Sequence, residues 1–229
     1  MENPYYDTIL EVDVRLEPRH MNNNILEHIR DGISRKYMRR CYMNYGYISA
    51  IYGINGEIRG GVIRAEDSTS SSLHRVRFKC KLCNPLNNST IIAKITGINM
   101  VLLIAEAGPI RIIISSQNIN RDNVVYMSSK SAYFPRTSTG DIINRPLQTG
   151  TYIRVRLISK KIVNGDDKII TIGILESVAL DEEIKRSLKY EYDEQKEVDA
   201  DKHMERMQKN DDVQNITTDT TTTESSVLE

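Results

Sequence analysis

Between Thr8 and Leu16 the chain alternates Ile9, Val12, Val14 and Leu16 with Glu11, Asp13 and Arg15. That period of two, with one small irregularity, predicts a strand that Pro18 ends. The period then changes. Met21, Ile25, Leu26, Ile29, Ile33 and Tyr37 follow a helical stripe. Asn22–Asn24 supplies a cap, and Arg35, Lys36, Arg39 and Arg40 suit the negative end of the helix dipole. Cys41–Ile51 returns to the aromatic and β-branched residues of a strand. Glycines 53, 56, 60 and 61 predict a loop or bent tip from Gly53 to Gly61, and Ser68–Ser72 a polar turn. The cleanest alternation follows: Arg75, Arg77, Lys79 and Lys81 against Val76, Phe78, Cys80 and Leu82. One strand therefore carries a cationic face and a core face.

Pro85 and Asn87–Ser89 read as a domain junction. Beyond it lie five strand patterns: Thr90–Thr96, Met100–Glu106, Ile110–Ser115, Tyr152–Ser159 and Lys168–Leu175. The last two form a hairpin about Asn164, Gly165 and Asp166, and a polar insertion, Ser116–Gly150, separates them from the first three. Five short strands broken after the third is the layout of an OB-fold. After Ser177 the apolar residues thin out. Leu180–Met207 is charged and helix-compatible, and Asn210–Glu229 has the Asp/Thr/Ser composition of a disordered tail.

The formal charge is zero, but it is unevenly placed. Residues 1–180 carry 24 Lys+Arg against 16 Asp+Glu, and residues 181–229 carry 7 against 15. A basic body suits a polyanionic partner, and an acidic tail stays solvated. Met1–Glu11 lacks the pattern of a signal peptide. The apolar run Ile98–Ala105 is far short of the roughly 20 residues that span a bilayer. Cys41, Cys80 and Cys83 are too few and odd for a disulfide framework. These features predict an intracellular protein that meets no membrane.

Candidate chemistry is sparse. Cys80 and Cys83 have the spacing of half a zinc ribbon, but zinc needs four ligands and no second such pair exists. Cys80 fits the core side of its strand instead. The histidines 20, 28, 74 and 203 pair with no nucleophile, no phosphate-binding glycine loop is present, and Asp166-Asp167 belongs to a turn. No catalytic residue, metal or cofactor is expected. The cations are more informative. Ile153, Val155 and Leu157 face one way along their strand, which leaves Tyr152, Arg154 and Arg156 on the other face. Lys94 alternates with Ala93 and Ile95, and Arg111 with Ile110 and Ile112. Singly, each reads as a solvated strand residue. Together they form a surface on which bases can stack and phosphates can be neutralised, pointing to a single-stranded nucleic acid.

The order of these features resembles a family: the seventh-largest subunit of eukaryotic RNA polymerase II together with its counterpart in the stalk of archaeal RNA polymerase. The matching stretches are Val14–His20, Asn24–Leu26, Tyr45–Ile48, Ile58–Ile63, Glu106–Ile110 with Ile114 and Ser115, and the closing hairpin Ile153–Ser177. The resemblance implies an α+β N-terminal tip domain at 1–84, RNP-like with a helix on an antiparallel sheet. An all-β OB-fold barrel follows at 85–178; the acidic helical or disordered tail at 179–229 is read from composition and departs from the family pattern. The resemblance implies that Ile58, Arg59, Gly60, Gly61, Val62 and Ile63 dock on the polymerase core subunits near the base of the clamp. It further implies that the barrel meets nascent RNA and that a fourth-subunit-like partner completes the stalk. The divergent loop after Ser116, the acidic tail and the abundance of Asn and Ile suggest a large-DNA-virus member. Such a protein would work in the virion or in the viral factory of the host cytoplasm, whereas a cellular one would work in the nucleus. The rival reading is a free OB-fold RNA-binding factor in translation or RNA decay.

Overall fold

The computed structural model describes residues 3–54, 58–128, 132–137 and 140–188. The first half is an antiparallel sheet with one helix. Its elements are β1 (Tyr5–Leu16), α1 (Ile25–Tyr37), β2 (Cys41–Tyr42), β3 (Gly46–Ile54), β4 (Arg59–Ile63) and β5 (Ser72–Cys83). The sheet order is β1-β5-β3-β2, and β4 also pairs with β5. Strands β1 and β5 align in register from Tyr5 opposite Cys83 to Leu16 opposite Ser72. That register puts Leu10, Val12, Val14 and Leu16 beside Val76, Phe78, Cys80 and Leu82 in one buried cluster, which Ile29 and Ile33 of α1 complete.

Three local expectations need correction. The helix begins at Ile25, and Met21 and Leu26 of the expected stripe are exposed. Asn24 stands at its N-cap without a side-chain cap, while Asn22 Oδ1 accepts the Asn24 N–H at 3.0 Å. The expected strand Cys41–Ile51 is two strands, β2 and β3, split by a turn in which Met43 adopts φ 44°.

The second half is a closed barrel. Its strands are β6 (Thr90–Ile98), β7 (Leu102–Ala107) and β8 (Ile110–Ser115), then, after the insertion, β11 (Tyr152–Lys161) and β12 (Ile169–Val178). The insertion holds a 3-10 turn, Ser116–Asn118, and a two-stranded hairpin, β9 (Val124–Met127) with β10 (Ala132–Pro135). The barrel closes in the order β11-β12-β8-β7-β6, with β6 returning to β11. Only β8 and β12 run parallel among these barrel pairs. Alternation drives the closure: Ile95, Leu103, Ile112, Ile114, Ile153, Val155 and Leu157 all turn inward to one core. Met100 and Val101, expected at the start of a strand, lie exposed in the turn before β7.

Sheet and barrel are stitched together. The Cys41 N–H donates to the Asp166 carbonyl at 2.7 Å, and the Gly165 N–H donates to the Cys41 carbonyl at 2.8 Å. Lys160 Nζ donates to the Pro85 carbonyl at 2.8 Å and also to Asn84 Oδ1. Partial burial lowers the pKa of that ammonium. Cys83 belongs to the barrel core and Cys80 to the sheet core, so the two thiols serve different clusters. Residues 181–188 are helical; the rest of Leu180–Met207 and all of Asn210–Glu229 lie outside the described residues.

Candidate docking strand and nucleic-acid face

The expected loop Gly53–Gly61 is strand at both ends, Gly53 and Ile54 closing β3 and Arg59 opening β4, while residues 55–57 lie outside the described residues. Arg59 to Ile63 pairs with β5, and a bulge falls between Gly60 and Val62. Local propensity reads Gly60-Gly61 as a break because glycine is a poor strand former, yet glycine is what a bulge uses. Gly60 and Gly61 have φ of +115° and +85°, which side-chain-bearing residues resist. A Cβ on Gly60 would stand 2.5 Å from the Leu73 carbonyl oxygen, so a bare backbone is what allows β4 to close on β5 here. Every residue from Arg59 to Ile63 is exposed, and Val62 and Ile63 keep 63% and 53% of their surface open. Ile58 turns the other way, partly buried against the sheet core. No described strand pairs with the second edge of β4. An edge strand with open apolar side chains is a template for a partner.

The cationic stripe of β5 behaves differently. Arg75 pairs with Asp13 at 3.0 Å, Arg77 with Glu11 at 3.4 Å and Lys79 with Asp7 at 3.7 Å. The hydrogen bond from Arg75 holds the Asp13 carboxyl below its usual range. Lys79 also lies over the Tyr52 ring at 5.4 Å. The acidic residues of β1 therefore meet the stripe from within the chain. Only the strand pairing reveals this, and exposed pairs of this kind contribute little to stability.

All five residues expected to face RNA lie on the outside of the barrel. Tyr152 stands opposite Lys94, Lys94 opposite Glu106, and Glu106 opposite Arg111, so a single row crosses β11, β6, β7 and β8. Most of its charge is already matched. Glu106 accepts from Lys168 at 2.8 Å and from Arg111 at 3.0 Å, and those bonds, Lys168 first, hold its carboxyl below the usual range despite partial burial. Arg154 pairs with Glu183 of the helical segment 181–188, and Arg156 pairs with Glu176 at 3.2 Å. Lys94 has no ion pair among the described residues.

Sequence reasoning passes over the insertion as a polar connection. In the structure it walls a pocket of about 580 Å³ against the turn before β7, lined in part by Arg121, Tyr126, Tyr133 and Arg136. An adjoining pocket of about 460 Å³ holds Arg154 and Arg156. The two share Gln117 and Ile119. The usable signal is the pair of tyrosines, each flanked by apolar residues and each a few positions from an arginine.

Among the described residues, no group of three or more His, Cys, Asp or Glu is placed to hold a metal ion. Burial pushes the Cys41 thiol up to about 11 and the Cys80 thiol up to about 12, so neither is a ready nucleophile. No helix among the described residues is long and apolar enough to cross a membrane.

No protein-family model matches the chain. It is similar to a DNA-directed RNA polymerase subunit of Acanthamoeba polyphaga mimivirus, 26% identical over 181 residues, which cover 79% of this chain and 86% of the relative. It is also similar to DNA-directed RNA polymerase II subunit RPB7 of Glycine max, 25% identical over 158 residues, 69% of this chain and 85% of the relative. DNA-directed RNA polymerase II subunit 7 of Arabidopsis thaliana matches over the same shares at 26% identity.

Proposed function

We infer that this chain is a non-catalytic subunit of a DNA-directed RNA polymerase, a viral member of the stalk-subunit family that includes the seventh subunit of RNA polymerase II, and that it acts in transcription. One observation carries this reading. The similarity spans 158 residues or more, longer than either the β1–β5 sheet or the β6–β12 barrel, so it takes in both. A lone RNA-binding barrel in translation or RNA decay is not favoured, because these relatives are all named as polymerase subunits.

The division of labour we propose has three parts. Residues 1–84 form the docking tip, with Val62 and Ile63 of β4 offered to the polymerase core subunits. Gly60 and Gly61 shape the strand, and Arg59 flanks it. Residues 85–178 form an OB-fold: the closing order of the barrel and its one parallel pair support that reading. Its outer row, with Tyr152 beside Lys94, which has no ion pair among the described residues, is offered to single-stranded RNA, while Arg111, Arg154 and Arg156 can join only by exchanging a carboxylate for a phosphate. Residues 179–229 form an acidic tail. A fourth-subunit-like partner would complete the stalk. The mimivirus relative favours work in a viral factory or virion rather than a nucleus.

The test is affinity purification of the tagged full chain from cells in which it acts, with partners identified by mass spectrometry. Recovery of the large polymerase subunits is expected. Recovery of ribosomal or RNA-decay proteins in their place would overturn the assignment.

A further inference from the structure

The arginines of the barrel half differ in how they are engaged. Arg111, Arg154 and Arg156 are each engaged by a carboxylate of the same chain. Arg121 and Arg136 are exposed and make no ion pair among the described residues. Both line the insertion pocket, beside the rings of Tyr126 and Tyr133. Those rings lie 4.9 Å apart and are tilted by 58°. Tyr133 is buried, and its hydroxyl donates to the Met100 carbonyl at 3.0 Å, which fixes the ring against the turn before β7. Tyr126 is half-buried and packs on the barrel core through part of its surface.

We propose that the insertion pocket binds one nucleotide of a single-stranded RNA, with its base against Tyr126, which the buried Tyr133 backs, and its phosphates at Arg121 and Arg136. This rests on the barrel being the RNA-binding half of the protein. Three arguments support it. Aromatic faces beside guanidinium groups are the pairing that holds unstacked bases and their backbone. The volume falls within the range of small-ligand sites, so a nucleotide can enter rather than lie across the surface. The third is a comparison of costs. At Arg154 or Arg156 a phosphate must first displace Glu183 or Glu176, whereas at Arg121 and Arg136 no ion pair among the described residues has to break. Asp122 on the same pocket offsets one charge, leaving the pair of arginines a net positive site. The adjoining pocket, reached through Gln117 and Ile119, then takes the strand on towards Arg154 and Arg156, past the amides of Asn118 and Asn120.

The experiment uses the full chain and a fluorescein-labelled 12-nucleotide uridine RNA, with anisotropy read over a range of salt concentrations. Arg121→Ala/Arg136→Ala should make the slope of log affinity against log salt shallower by about 1.4, two single-strand phosphate contacts. Tyr126→Leu keeps the apolar bulk and should weaken binding by about 5- to 150-fold at every salt concentration. If Tyr126→Leu unfolds the protein, photocrosslinking of 4-thiouridine RNA to the wild-type chain reads the same contact, with crosslinks expected within residues 117–136. A double arginine variant with wild-type slope and affinity would overturn the proposal, as would crosslinks confined to β6 and β11. Competition by free UMP at equal nucleotide concentration would also overturn it, in favour of a mononucleotide site. The double variant should copurify with polymerase at the wild-type level. Polymerase recovery with no RNA binding by the wild-type chain would sink the pocket and leave the subunit assignment standing.

Discussion

Replacing Val62 and Ile63 together by Ser separates docking from folding. The two side chains have 63% and 53% of their surface open, so they add little to the fold and have more than half their burial still to gain. Full burial of such a side chain contributes about 1.5–3 kcal/mol. Covering the open half of each on a partner therefore contributes about 1–1.5 kcal/mol, or about 2–3 kcal/mol for the pair. That corresponds to a Kd about 30- to 150-fold weaker. The assay is binding of the purified chain to polymerase core from which it has been stripped, with thermal unfolding of the free chain in parallel. The unfolding curve should shift by no more than about 0.5 kcal/mol, as for other exposed substitutions. Gly60→Val is the contrasting variant: its Cβ would meet the Leu73 carbonyl at 2.5 Å, so it should unpair β4 and lower stability and docking together. Wild-type affinity in a folded Val62→Ser/Ile63→Ser protein would refute β4 as the docking strand.

Three further outcomes follow from the packing and the charges. Gly173→Ala should destabilise the barrel by about 1–3 kcal/mol in a denaturant titration, because the added Cβ overlaps Val155 Cγ1 and comes within 2.9 Å of Ile112 Cγ2. Glu106 has a folded pKa below its ordinary 4.5, so it contributes stability above that pH which is lost as pH falls through the lowered value. Glu106→Gln should therefore flatten the acid limb of the stability profile below about pH 5 without steepening it elsewhere. Cys41 and Cys80, with thiols pushed up to about 11 and about 12, should resist alkylation at pH 8 in the native protein and react fully in denaturant.

The parts of the fold visible in the sequence are those governed by a local period. β8 runs over the residues its pattern marks, and β6, β11 and β12 extend theirs by only a few, because alternating isoleucine and valine leave one face that must be buried. The core side of β5 is equally plain, with Val76, Phe78, Cys80 and Leu82 all inward. What stays hidden depends on residues far apart in the chain. β4 is obscured because Gly60 and Gly61 signal a break locally, and only β5 alongside makes them a bulge. The Asn164–Asp166 turn is legible as a hairpin but not as the point where the barrel grips Cys41.

Register also decides where the positive charge of residues 1–180 can act. Along one strand, Arg75, Arg77 and Lys79 look like the strongest cationic surface in the chain. Across the β1–β5 register Arg75 and Arg77 face Asp13 and Glu11, and Lys79 reaches Asp7 on the diagonal, so the stripe has little field left to offer a polyanion. Arg111, Arg154 and Arg156 are likewise occupied, and Lys160 is held by Asn84 and the Pro85 carbonyl. The cations of the barrel half without such a partner among the described residues are Lys94, Arg121, Arg136, Arg145 and Lys161, and three of these belong to the insertion. On the proposed reading, an RNA that followed this charge would be drawn towards the insertion before it met the strands, with few phosphates neutralised on the way. Weak binding with a shallow salt dependence is the physical signature of that arrangement, whereas a fully open sheet face would give a slope steeper by about 0.7 for each further phosphate it neutralised.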